Sequence, residues 1–253
     1  MNLALLFDIS IPSISASEYT LPCKFLNSIS FFHFVPQLHM PRQRIRIRYS
    51  KLGRLKFIGH KDLLRVLEAL FRRARLPLAM SNGFHPKVRM SFPCALALGF
   101  ESTDEVFDLE LNDTAEPVNI DDFLADLNRH SLEGLTFLSA RLLDEGERKV
   151  SLVSSIFHMT IPANLRQRTT ERMASFLSET SVIIPKRNGK RVDVRSAVLQ
   201  LMLDETTGGL TVELQSQTGP EAGLKEVLAV LGLIEELFVT LFPQRVCCRL
   251  QDA

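Results

Sequence analysis

The stretch of sequence that decides the fold is RIRIRY, residues 44–49, in which arginine alternates with isoleucine and tyrosine. Alternation with a period of two is typical of a β-strand that buries one face and presents the other. The sequence therefore predicts a strand whose apolar face is buried and whose opposite face carries Arg44, Arg46 and Arg48.

A helical pattern follows this strand. From His60 to Ala74 the apolar residues recur at intervals of three or four, and the remaining positions are mostly basic. Pro77 marks the end of the helix. Between strand and helix, Gly53 indicates a turn, and residues 55–58 are expected to continue as extended chain.

The rest of the first half continues with alternating elements. Periodicity predicts strands at residues 87–92, 105–111 and 135–142, and a short helix with Asn119 as its N-cap. Strand, helix, two strands, helix and strand is the order of a ferredoxin-like βαββαβ unit.

The second half repeats this order. It has predicted strands at 156–161, 182–184, 210–214 and 245–250, a helix at 163–179, a helical segment at 221–241 broken near Gly232, and an ambiguous segment at 192–203. The sequence thus predicts an α+β fold of two tandem ferredoxin-like (βαββαβ) modules, residues 40–146 and 150–253, with a hinge at 144–150.

Residues 1–39 differ in composition from the rest of the chain. They are apolar and serine-rich, and their only charged residues are Asp8, Glu18 and Lys24. The apolar run at residues 3–7 is shorter than the core of a signal peptide or a membrane span. We expect these residues to be a disordered or mis-assigned N-terminal extension, with a targeting segment as the alternative.

Charge is distributed unevenly along the chain, although the net charge is only +1. Residues 42–89 contain fourteen Lys or Arg and two acids, a balance of +12, and residues 101–147 contain fourteen acids and two arginines, a balance of −12. Such asymmetry points to a polyanion partner or to pairing of the two segments inside the fold, and both readings stay open.

Cysteine usage disfavours two kinds of metal site. The four cysteines, Cys23, Cys94, Cys247 and Cys248, form no CxxC spacing, which disfavours structural zinc and a self-contained iron–sulfur cluster. The sequence also lacks a P-loop, a dinucleotide-binding fingerprint and a nucleophile elbow, and we expect no cofactor in this chain. We expect a cytoplasmic protein without a membrane partner.

The run from residue 50 to residue 111, SKLGRLKFIGHKDLLRVLEALFRRARLPLAMSNGFHPKVRMSFPCALALGFESTDEVFDLEL, resembles the radical-SAM-linked proteins, a family of unknown function. The segment GKRVDVR at 189–195 adds a weaker similarity. The positions that carry the resemblance are Ser50, Lys51, Gly53, His60, Asp62, Leu63, Arg65, Arg72, Arg73, Leu76, Pro77, Ser81, Gly83, Phe84, Pro86, Gly99, Glu105 and Asp108.

The resemblance implies a partner and a cellular context. Relatives are fused to, or encoded beside, a radical SAM enzyme, and often near RNA-processing genes; this sequence contains no radical SAM domain, so the enzyme would be a separate protein. Many relatives carry Asn-Pro-His-Pro after Gly-Phe, whereas this chain has His85-Pro86-Lys87-Val88, which weakens any role for a histidine carried over at that turn.

The basic segment is the candidate RNA-binding surface. Alternate residues of a strand lie about 7 Å apart, close to the spacing of successive phosphates, and arginine binds phosphate with two hydrogen bonds. The three strand arginines are expected to be the least paired internally. The candidate nucleic-acid-binding residues are Arg44, Arg46, Arg48, Lys51, Arg54, Lys56, Arg65, Arg72, Arg73, Lys87 and Arg89.

Two histidines are the candidate catalytic groups. His60 and His85, with Asp62, form a possible general acid–base set for metal-independent RNA cleavage; helix capping or burial for His60 and a turn role for His85 are the structural alternatives. The sequence favours an RNA-binding or substrate-presenting accessory protein. The alternatives are an RNA-acting enzyme and a protein-interaction module with an acidic partner.

Overall fold

The first strand and helix form where the sequence predicts them. In a computed structural model of the protein, which describes residues 42–112, 118–186, 189–216 and 222–251, β1 is Gln43–Lys51 and α1 is His60–Arg73. The apolar face of β1 is buried because it packs against the apolar stripe of α1. The predicted N-terminal extension, residues 1–39, lies outside the described residues.

The connection between β1 and α1 differs from the prediction. Residues Gly53–Phe57 form a 3-10 helix, so the expectation of extended chain at 55–58 is wrong for most of that segment. Gly53 has φ +61, a left-handed conformation that glycine adopts without steric penalty and that reverses the chain into the helical turn.

The remaining elements of the first half are β2 (Met90–Ser91), β3 (Glu101–Leu111), α2 (Ile120–Arg129) and β4 (Leu135–Leu142). The Asn119 side chain accepts hydrogen bonds from the backbone N–H groups of Asp121 and Asp122, which confirms the predicted N-cap. The strand predicted at 87–92 is reduced to two residues.

The second half contains β5 (Leu152–Thr160), α3 (Ala163–Ser178), β6 (Ile183–Pro185), β7 (Arg191–Asp193), α4 (Val194–Ala197), β8 (Val198–Leu203), β9 (Gly209–Gln215), α5 (Leu224–Val230) and β10 (Gln244–Leu250). The ambiguous segment at 192–203 holds one helical turn followed by a strand. The break predicted near Gly232 in the helical segment 221–241 is confirmed, since α5 ends at Val230 and Gly232 has φ +68. Beyond the break, the described chain forms a 3-10 helix, Ile234–Glu236, in place of the predicted α-helix.

Eight strands form one sheet that contains both halves of the chain. Its order is β4-β1-β3-β10-β5-β9-β8, with β2 also paired to β3. All pairs are antiparallel except β3 with β10, which is parallel at Gln244–Glu101 and Arg245–Ser102. The Ser102 hydroxyl donates to the Arg245 carbonyl oxygen at 3.1 Å across this junction. The fold is therefore α+β with a large mixed sheet.

The two faces of the sheet have different chemistry in the first half. On one face, side chains of β1 and β3 pack with α1 and α2 in a buried apolar cluster. Because successive residues of a strand point to opposite faces, Arg44, Arg46 and Arg48 share the other face, which we call the polar face. No helix of the described residues is long and apolar enough to cross a membrane.

Candidate nucleic-acid interface

The three arginines of β1 are paired, which contradicts the expectation that they are the least paired internally. The Arg46 side chain is 8% exposed, and its Nε lies 2.8 Å from Oδ1 of Asp108. Arg48 forms an ion pair with Asp104. The cause is strand register, since β1 residue 46 lies opposite residue 108 of β3, and cross-strand partners share a face. The acidic segment thus folds against part of the basic one.

The linker between the two halves, residues 143–151, also contacts the polar face. The Glu147 carboxylate accepts two hydrogen bonds from Arg141, at 2.6 and 3.0 Å, and lies 3.3 Å from NH1 of Arg46. The backbone carbonyl of Glu147 accepts a further hydrogen bond from Arg44. The hydrogen bonds from Arg141 hold the pKa of Glu147 below its ordinary value. An acidic side chain therefore already occupies a site framed by arginines.

A wide concave surface lies beside this linker on the polar face, with a volume of about 680 Å³. We call it the arginine groove. Among the residues that the structure describes, its lining contains four arginines and no acidic residue. The lining residues are Arg46, Arg48, Ser139, Ala140, Arg141, Cys247, Cys248, Arg249, Leu250 and Gln251.

Three of the four groove arginines are open to solvent. The side chains of Arg48, Arg141 and Arg249 are 35%, 53% and 58% exposed. Each has an acidic partner, which for Arg249 is Glu213 at 3.3 Å, so each guanidinium keeps N–H groups for a second anion. The groove can therefore bind a polyanion through its phosphates.

Sequence reasoning missed Arg141 and Arg249. Arg141 lies in the acidic segment, where the local charge balance hid it, and Arg249 lies in β10. Strict alternation would place Arg249 on the same face as Arg245, but a β-bulge between Arg245 and Cys247 shifts the pattern along β10. Only the pairing of β10 beside β3 brings Arg249 to the groove. That pairing joins residues far apart in the chain, and no local signal predicts it.

The other basic candidates lie outside the lining of the arginine groove. Arg44 and Arg89 line a separate cavity of about 310 Å³ together with Asp108 and Glu110. Lys51 is 2% exposed and donates to the Ile58 carbonyl oxygen at 3.0 Å. Burial lowers the pKa of Lys51, so this residue does not belong to an exposed basic surface.

The helical candidates form a second basic surface. The side chains of Arg65 and Arg72 on α1 are 81% and 62% exposed, and each pairs with an acid one turn away, Asp62 or Glu68. The remaining candidates are also at or near the surface: Arg54, Lys56, Arg73 and Lys87.

The structure places the candidate catalytic residues separately. His60 begins α1, is half-buried, and its ring meets that of Phe92 edge-on at 5.0 Å between centroids. Burial, followed by the charge of Lys51, lowers the pKa of His60. Asp62 accepts a hydrogen bond from Arg65, and His85 lies in an exposed loop. Among the described residues, no hydrogen bond or ion pair joins His60, Asp62 and His85.

In the part of the chain that the structure describes, no group of three or more His, Cys, Asp or Glu side chains is arranged to hold a metal ion.

Comparison with known proteins gives a family and no function. No curated protein matches the chain. Residues 44–225 match the family described as "Uncharacterized protein conserved in bacteria (DUF2344)", a span that includes β1, α1 and the linker but ends before β10. Because this match covers most of the chain, the protein belongs to the DUF2344 family.

Proposed function

We propose that this protein binds RNA through the arginine groove and acts as a non-catalytic RNA-binding or substrate-presenting partner of a separate radical SAM enzyme, in RNA modification or processing. The observation that carries the proposal is the lining of the groove, where the described residues include four arginines, three of them exposed, and no acidic residue. Arginine forks on an open concave surface suit the non-bridging oxygens of a phosphate backbone.

The arrangement of the sheet supports the proposal. In the first half, the strands lie side by side in the order β4-β1-β3-β2, and in the second half in the order β10-β5-β9-β8. If the four strands of each half are numbered along the chain, both orders read fourth, first, third, second. This is the order of a ferredoxin-like unit, and we propose that each half is one such module. RNA-recognition domains of this type bind RNA on the open face of the sheet.

The groove differs from those domains in one respect that narrows the expected mode of binding. No phenylalanine, tyrosine or tryptophan of the described ranges lines it, so these ranges offer no aromatic ring on which a base could stack. Binding should therefore depend on the phosphate backbone, with little preference for sequence and a strong dependence on salt.

The test is binding of a labelled single-stranded RNA of about 20 nucleotides, measured by fluorescence anisotropy between about 50 and 200 mM salt. Three exposed arginines predict a slope of log K against log salt of about −2. Arg249→Gln should reduce the magnitude of the slope by about 1 and weaken binding about fivefold.

The control is Arg65→Gln, which removes an arginine of α1 that is more exposed than Arg249. It should change the affinity by less than about twofold. If Arg65→Gln weakens binding as much as Arg249→Gln, the arginine groove is not the binding surface; if no RNA binds at the lowest salt, the proposal fails.

The proposal of a radical SAM partner rests on the resemblance of residues 50–111 to the radical-SAM-linked proteins. The four groove arginines also suit an acidic protein surface. The alternative proposal, an interaction module with an acidic protein partner, is therefore tested in the same experiment as the radical SAM partnership. Co-purification after nuclease treatment should retain a radical SAM enzyme if the partnership is direct and lose it if RNA bridges the two.

An RNA-acting enzyme using His60 and His85 is the second candidate. It is favoured by one observation, the lowered pKa of His60, which keeps the imidazole neutral and able to accept a proton near pH 7. Incubation with structured RNA should then yield a product that His60→Ala abolishes, and unaltered RNA after incubation with the wild type would remove this candidate.

A further inference from the structure

Another cavity is lined by residues of both halves of the chain, beside the buried apolar cluster that contains Phe100, Phe157 and Leu214. Its volume is about 210 Å³, and we call it the Arg245 pocket. It is lined by Cys94, Ala95, Ala97, Phe100, Leu152, Ser155, Phe157, Leu214, Gln215, Ser216, Ala222, Gly223, Leu224, Lys225, Glu226 and Arg245. The proposed RNA-binding function makes no use of this cavity.

Arg245 supplies a buried positive charge at the wall of the pocket. Its side chain is 3% exposed, and its guanidinium carbon lies 5.6 Å from the centre of the Phe157 ring. Buried arginines are usually held by several oxygen acceptors, because burying an unsatisfied charge is costly. The contacts of this guanidinium therefore indicate whether an acceptor is missing.

Those contacts leave donor capacity unused. NH1 lies 3.5 Å from the Cys94 sulfur and 3.7 Å from the Cys248 sulfur, and NH2 lies 3.4 Å from the Ala95 carbonyl oxygen. Thiols are weak acceptors. Nε lies 3.3 Å from the Glu105 carboxylate but forms no hydrogen bond in the described part of the chain. Five N–H groups thus share one carboxylate, one carbonyl and two sulfurs.

The local charge balance also favours an added anion. Glu105 is 3% exposed and faces both Arg245 and the buried Lys51, with Asp104 as a second acid nearby. At the pocket rim, exposed Lys225 adds a further positive charge. The Glu226 carboxylate at the rim is engaged by the Gly223 backbone N–H at 2.9 Å.

The rest of the wall is apolar. Phe100, Phe157, Leu214 and Leu224 line the pocket, so a ligand that enters gains contact area for an apolar body as well as an ion pair. A cavity of about 150 Å³ is large enough to bind benzene, whereas most drug-sized or nucleotide ligands occupy about 300 Å³ or more. The volume of 210 Å³ therefore suits one ring or a short branched chain.

We propose that the Arg245 pocket binds a small monocarboxylate with an aromatic or branched aliphatic body. The carboxylate accepts hydrogen bonds from the Arg245 guanidinium, and the body lies against Phe157 and Phe100. This site is independent of the arginine groove, which lies on the polar face.

The experiment is a screen of matched pairs, each a monocarboxylate and its primary amide, with benzoate and benzamide as the first pair. Ligand-observed NMR on the whole protein measures binding up to about 10 mM, and at least one acid should bind with Kd of about 1 mM or tighter. Its amide should bind at least about tenfold more weakly, because the amide lacks the charge that the guanidinium attracts.

Two variants locate the site. Ala97→Phe fills the pocket and should abolish binding of the acid, whereas Ala125→Phe, on the exposed side of α2, should leave it unchanged. Lys225→Gln changes an exposed residue at the rim, so the fold is kept. It should weaken binding of the acid about threefold and leave binding of the amide unchanged.

Three results would overturn the proposal. They are the failure of every acid in the screen to bind at 10 mM, equal binding of acid and amide, and binding by folded Ala97→Phe equal to that of the wild type. None of these results bears on RNA binding by the arginine groove, so the two proposals fail separately.

Discussion

The arginines of β1 and those of α1 look equivalent in the sequence but occupy different environments. The side chain of Arg46 is 8% exposed and contacts two carboxylates and the backbone of the linker, whereas Arg65 is 81% exposed and pairs with Asp62 on its own helix. A cluster of basic residues therefore contains structural and surface charges together, and strand register separates them.

The largest expected difference between the two sets of arginines is in their contribution to the free energy of unfolding. Arg46→Ala leaves Asp108, whose side chain is 4% exposed, without its guanidinium partner, and an unpaired buried charge destabilises a protein by about 3 kcal/mol or more. Arg65→Ala removes an exposed ion pair and should cost less than about 0.5 kcal/mol. Urea unfolding followed by circular dichroism measures both, and equal losses would contradict the division between the two sets of arginines.

A smaller effect is expected from the linker on RNA affinity. Glu147→Gln removes the negative charge that Arg46 and Arg141 already contact, so an RNA phosphate no longer competes with it. Affinity measured by anisotropy at low salt should rise about threefold to fivefold. The matched control is Glu145→Gln, at an exposed residue of the same linker. An equal rise in RNA affinity for this variant would mean that the change in net charge alone explains the effect.

The smallest expected effect is on the pH dependence of the free energy of unfolding. The folded-state pKa of Glu147 is depressed below its ordinary value of 4.5. Its contribution to stability is therefore complete above that value and is lost as the pH falls through the folded-state pKa. The difference in unfolding free energy between wild type and Glu147→Gln should be constant near pH 7 and shrink in acid. A difference that does not change down to the acid transition would exclude a role for the Glu147 charge.

Local features were predictable where periodicity is strong. The alternation of β1, the apolar stripe of α1 and the Asn119 cap each lie within a short window, and each element forms at its predicted place. The 3-10 helix after Gly53 was missed because a short helical turn leaves no periodic signal.

The candidate site was only partly predictable because it is built from distant segments. Arg46 and Arg48 were identified as binding candidates, but their acidic partners in β3 depend on register, and Arg249 reaches the groove only through the position of β10. Lys51 was taken for a surface residue, although it is buried at the end of β1, where it donates to the Ile58 carbonyl oxygen and lies near Glu105. Alternation in the sequence predicts which face of the sheet a side chain lies on, but it does not predict whether that side chain is exposed to solvent.

The parallel junction of β3 and β10 has a consequence for synthesis of the chain on the ribosome. The two residues joined at this junction, Ser102 and Arg245, are 143 positions apart. At about 5–20 residues per second, the ribosome needs roughly 7–30 s to make the intervening chain. During that interval the start of β3 is an unpaired strand edge, of the kind that other chains can join. Nascent chains of this protein should therefore be most prone to aggregation, and most dependent on chaperones, in the seconds before β10 emerges.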